Sequence, residues 1–248
     1  MTNPTNVPLS GYDPSTLVIA SGPGWIALDK PAGVSVHNDP EKKADSLAFG
    51  HQILTRDPRL ATDTKWDGGA LFPVHRLDRE TSGVLVLATN KEAASRLQTA
   101  IAERRARKIY RAILRGVAGS GGEEGKWTLP LGEKAEGRRN PAGPPGTRKP
   151  CETRFHVLRA TRHLTEIEVE LLTGRQHQIR RHAVLSKHEV LGDHRYGDPK
   201  YIGKLEGIYG GELRLMLHAH SIEIEAKSAV RATAPLPVAF ENLFSGTP

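Results

Sequence analysis

Glu166-Ile167-Glu168-Val169-Glu170-Leu171 alternates acidic and aliphatic residues without a break. A period of two puts one residue class on each face of an extended chain, so the segment reads as a half-exposed β-strand. Other short apolar runs repeat the message. Leu17-Val18-Ile19-Ala20 and Trp25-Ile26-Ala27-Leu28 flank Ser21-Gly22-Pro23-Gly24, which predicts a hairpin or two short strands. Val84-Leu85-Val86-Leu87-Ala88 has the continuous apolar character of a buried strand. Lys108–Gly116 alternates imperfectly, as a strand covered on both faces would. Leu213, Leu215, Leu217 and Ala219 share one parity before the apolar positions switch to Ile222 and Ile224. A bulge or bend near His220 would explain that switch.

Helical periodicity is scarcer. Lys91–Glu103 places Ala93, Ala94, Leu97 and Ile101 on one stripe, and shorter helices are predicted around Ser46–Leu54 and Gln176–Lys187. Asp29–Gly33 reads as a turn, with extended chain resuming at Val34–His37. Residues 117–150 are rich in Gly and Pro and read as a long loop. Many strands with few helices predict an α+β fold dominated by antiparallel sheet. The 248 residues suffice for one core without disulfides, and Cys151 is the single cysteine, so no disulfide framework exists. The polar, Pro-rich N-terminus lacks a signal-peptide pattern and no apolar run reaches membrane-spanning length. A cytoplasmic monomer is the expectation, with a leader over residues 1–16 and one domain over 17–248.

The formal charge is +7. A basic balance suits a polyanion, and its distribution matters more than its sum. Arg104-Arg105-Ala106-Arg107-Lys108-Ile109-Tyr110-Arg111, followed by Arg115, sets one aromatic among cations. That mix suits RNA, with phosphates on the cations and an unpaired base on the ring, and equally a charged helix end beside a core Tyr. The 117–150 loop adds Lys134, Arg138, Arg139, Arg148 and Lys149, and Arg180 follows in the next basic cluster.

Two segments could carry chemistry. His75-Arg76-Leu77-Asp78-Arg79-Glu80-Thr81-Ser82-Gly83 runs directly into the buried strand, which sets Asp78 at a sheet rim. A salt-bridged turn is the plainer reading of the same spacing. Thr173-Gly174-Arg175-Gln176-His177-Gln178-Ile179-Arg180-Arg181-His182 lies at a strand end and opens a helix. His177 and His182 stand five apart, which is not the zinc-binding spacing of four, so no metal is expected. No phosphate-binding GxxxxGK[ST] loop and no GxSxG elbow occurs.

Together these segments resemble the RluA-type family of RNA pseudouridine synthases. HRLDxxTSG stands at residues 75–83, Lys-x-Tyr at 108–110, TGRxHQIRxH at 173–182 and GDxxYG at 192–197. Lys30-Pro31-Ala32-Gly33-Val34-Ser35-Val36-His37 and Leu217-His218-Ala219 also match, so the resemblance covers about residues 17–225 in order. It implies a single α+β catalytic domain with a long, curved, mainly antiparallel sheet and a central cleft. It implies isomerisation of uridine to pseudouridine in structured RNA, tRNA or rRNA, with no cofactor and no metal. Asp78 takes the place of the catalytic aspartate and Tyr110 that of the tyrosine packed on the target base. Arg175 matches the basic partner of the aspartate, Arg76 the arginine that fills the space of the flipped nucleotide, and Ile179 is a candidate for the base pocket. A guanidinium beside a buried carboxylate favours its charged form. Stacking worth about 1–3 kcal/mol per base offsets much of the cost of unstacking the target. Many relatives carry an S4-type RNA-binding domain. The residues before the first strand signal are too few for one, so RNA selection is expected from Arg104, Arg105, Arg107, Lys108, Arg138, Arg139, Arg148, Lys149 and Arg180. The alternatives are an RNA-binding protein or chaperone on the same fold, and a nucleoside glycosidase, which would call for two carboxylates.

Overall fold

The computed structural model describes residues 14–36, 46–134, 136–209 and 211–245. Most of the expected leader, and His37 of the expected extended segment, lie outside the described residues. In chain order the elements are β1 (Val18–Gly22), β2 (Trp25–Lys30), α1 (Ser46–Arg56), α2 (Pro58–Asp63), β3 (Phe72–Pro73), β4 (Ser82–Ala88), α3 (Lys91–Ala102) and β5 (Ala106–Arg115). There follow β6 (Glu124–Trp127), β7 (Leu131–Gly132), β8 (Arg148–Lys149), β9 (Thr153–Ala160), β10 (Leu164–Leu171) and α4 (Gln178–Leu185). The chain closes with α5 (Pro199–Tyr209), β11 (Leu217–Ile224), β12 (Val230–Thr233) and α6 (Val238–Ser245). The protein is α+β, with a large, mainly antiparallel sheet. Its chain divides into two compact units, Met1–Lys108 with Ala219–Leu236, and Ile109–His218 with Pro237–Pro248.

In the first unit the ladder runs β1-β2-β4-β11, with β3 beside β4 and β12 beside β11. The predicted hairpin is there: Gly22 faces Trp25 across the turn, where Gly24 takes φ +89°. All of β4 is buried. Val84, Val86 and Ala88 pack with Ala93, Ala94, Leu97 and Ala100 of α3, while Leu87 of the other parity faces Gly50 of α1. Helices on both faces explain why β4 is continuously apolar rather than alternating. Asn90 starts α3 by accepting the Ala93 N–H at 2.9 Å. Helix α2 starts where Asp57 accepts the N–H groups of Arg59 and Leu60 and proline opens the first turn.

In the second unit the order is β5-β10-β9-β6, every pair antiparallel. Strand β10 departs from its sequence reading. Glu166 is 1% exposed, because Arg111 from one neighbouring strand and Arg159 from the other close on its carboxylate. Arg159 also reaches Glu241 of α6 at 3.0 Å and lies over the Phe244 ring. The acidic face of β10, expected to meet water, is thus partly covered by an ion-pair network. The 117–150 stretch departs as well: it carries β6, β7 and β8 rather than one unbroken loop. Strand β11 begins only at Leu217, so Leu213 and Leu215 are buried ahead of it.

Candidate active site

Asp78 lies in the connection from β3 to β4, on the first unit. The chain leaves the sheet there by an unusual hydrogen bond. Val74 N–H donates to the Val86 carbonyl at 3.0 Å, but Val86 N–H donates to Nε2 of His75 at 3.1 Å. The imidazole stands where the next strand carbonyl would be, so the backbone is released without orphaning Val86. Burial, and secondarily the charge of Lys108, push the His75 pKa down to about 4, against a smaller upward pull from the Arg76 backbone. The ring is therefore neutral, with Nε2 as acceptor.

Beyond His75 the loop closes on itself and on its neighbour. Thr81 N–H donates to the Asp78 carbonyl at 3.1 Å. Gly33 N–H donates to the Arg79 carbonyl at 2.8 Å, and Arg79 Nε donates to the Gly33 carbonyl at 2.9 Å. Lys30, 1% exposed, donates from Nζ to the carbonyls of Pro31 (2.9 Å), Val34 (2.8 Å) and Arg79 (3.0 Å). A buried ammonium satisfied by three carbonyls holds the Pro31–Val34 turn against the residue after Asp78. Asp78 itself is partly exposed and Arg76 exposed, while Thr81 and Ser82 are buried.

Tyr110 and Arg175 lie in the second unit. Tyr110 is buried on β5 opposite Val169 of β10. Arg175 follows β10 in a turn built by Gln178. The amide oxygen of Gln178 accepts from Thr173 Oγ1 (2.8 Å) and from the Arg175 N–H (3.0 Å). Its amide nitrogen donates to the Glu152 carbonyl and to Thr153 Oγ1. Arg175 is half-buried and its Nε is sealed with no hydrogen-bond partner among the described residues. An unmatched guanidinium donor is costly, and is the kind of group that an anion or carbonyl satisfies. Ile179 is buried on α4. His177 and His182 go separate ways. His177 Nδ1 meets the Tyr196 hydroxyl at 2.9 Å, and His182 bridges Thr153 Oγ1 and the Leu129 carbonyl at 2.9 Å each. Among the described residues no three His, Cys, Asp or Glu side chains gather as a metal site.

The basic residues separate into two kinds. Arg104 and Arg107 are exposed, Arg104 with φ +61°, and Arg105 is exposed but paired with Glu103 at 2.6 Å. Lys108 is half-buried and its pKa is pushed down by that burial. Arg138, Arg139, Arg148 and Lys149 are exposed. Arg180, expected among the RNA-contacting residues, is instead 4% exposed. Its Nε and Nη2 each lie 2.8 Å from the Asp193 carboxylate, a bidentate internal pair. Arg111 and Arg115 are also engaged internally, with Glu166 and with Glu189. The bare sequence cannot separate such residues, since a paired and an unpaired arginine are the same letter. For the same reason the roles of Lys30 and His75 were not legible, although Lys30 stands two residues after an apolar run.

The model of the RNA pseudouridylate synthase family matches residues 24–184. The chain is 33% identical over 218 residues to "Ribosomal large subunit pseudouridine synthase C" of Pasteurella multocida, covering 85% of this chain and 61% of that protein. It is 35% identical over 218 residues to the protein of the same name from Haemophilus ducreyi, covering 85% of this chain and 62% of that one. The chain thus spans about three fifths of the length of these relatives. The solved structure of "Human RNA Pseudouridylate Synthase Domain Containing 4" shares the fold, with a TM-score of 0.69, 24% identity and 94% of each chain covered. The motifs at residues 75–83 and 108–110 lie wholly within the matched span, and with the fold they lead to one assignment: the chain belongs to the RNA pseudouridylate synthase family.

Proposed function

We propose that the protein isomerises uridine to pseudouridine in RNA, with Asp78 as the acting carboxylate. The observation that carries this reading is the build of the Asp78 loop. A buried ammonium, a neutral imidazole acting as acceptor and reciprocal Gly33–Arg79 hydrogen bonds hold a partly exposed carboxylate at the mouth of a wholly buried strand. A surface turn of ordinary kind needs no such fixing. A reacting group does, because orientation lowers the barrier only if it is held before substrate arrives.

The reaction breaks the N1–C1′ bond, turns the base and forms the C5–C1′ bond. The C5 proton is lost and N1 takes one up, so atoms balance without redox or hydrolysis. Asp78 acts by attack on the sugar or the base, or by assisting glycal formation. Tyr110 offers the face on which the unstacked base rests. Arg175 offers the guanidinium that balances anionic charge, a role that its unmatched Nε supports. Arg76, exposed, is suited to enter the space that the target base leaves. Large-subunit rRNA is the proposed substrate class, because relatives covering most of this chain carry that name, and a cytoplasmic location accords with it. Arg104, Arg107, Arg138, Arg139, Arg148 and Lys149 are the proposed phosphate contacts, from which Arg180 is removed by its internal pair.

The test uses unmodified large-subunit rRNA carrying tritium at uridine C5. Forming the C5–C1′ bond must release that label to water. Release by the wild type and none by Asp78→Asn, with RNA affinity equal in both, is expected. No release by either, with RNA bound, overturns the enzyme reading in favour of an RNA-binding protein. Equal release by both removes Asp78 from the chemistry.

A further inference from the structure

Arg181 is fully buried, yet among the described residues no carboxylate pairs with it. Its neighbour Arg180 has Asp193. Arg181 has only backbone carbonyls: Nη1 donates to Gly132 (2.9 Å) and Gln176 (3.1 Å), Nη2 to Ala142 (2.9 Å) and Nε to Pro141. Burial pushes its pKa down. A guanidinium taken from water without a counter-charge is unfavourable unless its donors are matched. Here two of its acceptors, Pro141 and Ala142, come from the excursion between β7 and β8, and a third, Gly132, from the end of β7 at its base.

That excursion has no apolar core of its own, and its internal fixing is by hydrogen bonds, among them Asn140 Nδ2 to Glu136 at 2.7 Å and Arg148 Nε to the Gly143 carbonyl at 2.9 Å. Between Gly132 and Arg148 it contains no large apolar side chain, only Gly, Pro, Ala and polar residues. It is closed at its base by the Leu131–Lys149 and Gly132–Arg148 pairing and by Gly132 N–H to the Ala142 carbonyl at 2.8 Å. At Gly143, φ +76°, a Cβ would stand 3.2 Å from Arg181 Nη2 and 3.0 Å from the Lys134 carbonyl, so bare backbone packs on the guanidinium. Outside, the excursion and its base display Lys134, Arg138, Arg139, Arg148 and Lys149 against Glu133 and Glu136. Arg138 lies 3.7 Å from Asp198, whereas Lys134, Arg139 and Lys149 join no ion pair among the described residues.

We propose that the β7–β8 excursion is an arm that binds the phosphate backbone of the RNA substrate, and that Arg181 is the positioning residue that holds it in its binding shape. This rests on the proposed reading of the protein as an enzyme acting on RNA. A flexible basic loop would lose conformational entropy on binding; a preset one loses little. The carbonyl post supplies the presetting from inside, so its loss acts on affinity rather than on chemistry.

The experiment measures RNA affinity and the KM–kcat pair across salt concentrations, using unmodified large-subunit rRNA, with a thermal melt of each variant. Arg139→Gln/Lys149→Gln is expected to raise KM and to lower the slope of log affinity against log salt by about 1–2, one released counterion per lost contact. Arg181→Met is expected to raise KM about tenfold and lower that slope likewise, with kcat within about twofold. Arg181→Lys, which keeps a charge but cannot span the three carbonyls, falls between, and carries the test if the Met variant does not fold. An unchanged slope in Arg139→Gln/Lys149→Gln overturns the arm as a phosphate site. A fall in kcat with KM and slope unchanged in the folded Arg181 variant overturns Arg181 as its positioning residue. Because slope and affinity are read without turnover, absence of pseudouridine in the wild type would refute the enzyme reading and leave this test intact.

Discussion

His75→Gln removes a titrating ring but keeps an acceptor for the Val86 N–H, so it isolates the effect of protonation. In the folded protein the His75 pKa stands at about 4, against an ordinary 6.5. A folded value below the unfolded one means that the unfolded chain binds the proton more readily. The contribution is full above the unfolded pKa and is lost as pH falls towards the folded one. The gap of about 2.5 units at 1.36 kcal/mol each corresponds to about 3 kcal/mol in total, of which about 2 kcal/mol is lost by pH 5. Burial of the ring, and after it the charge of Lys108, is the origin of the gap, and protonation would also place a donor against the Val86 N–H. Urea unfolding of both proteins at several pH values from about 7.5 to 5 should show the wild type losing about 2 kcal/mol more than His75→Gln. Parallel losses, agreeing within about 0.5 kcal/mol, would refute the reasoning, because the imidazole would then be exchanging its proton freely in the folded state.

Gly83→Ala should destabilise by about 3 kcal/mol or more in the same assay, since φ is +106° and a Cβ would lie 2.2 Å from the Ala219 carbonyl oxygen; a loss under about 1 kcal/mol would show that β4 and β11 can part freely. Arg180→Met should cost about 3–5 kcal/mol by leaving Asp193 buried without its bidentate partner, while the salt slope of RNA binding stays unchanged in the folded fraction. A lowered slope with unaltered stability would return Arg180 to the RNA surface.

Much of the fold was legible because period and punctuation are local. The hairpin at residues 18–30, the buried β4, the stripe of α3 and the start of α4 each follow from side chains a few residues apart. The motif segments were legible for the same reason, being short and contiguous. Hydrogen bonding was not. The 117–150 stretch hid three short strands, because Gly and Pro signal turns whether or not neighbouring residues find a ladder. Glu166 looked like a solvent-facing residue until Arg111 and Arg159 arrived from two other strands. The sequence by itself determined the fold class, the strand and helix positions of the apolar segments and the loop that carries Asp78. Only the tertiary structure decided which cations are internal: Lys30 on three carbonyls, Arg180 on Asp193 and Arg181 on the excursion. A charge's environment is set by atoms distant in the chain, and burial converts the same side chain from a solvated surface group into one that must be matched.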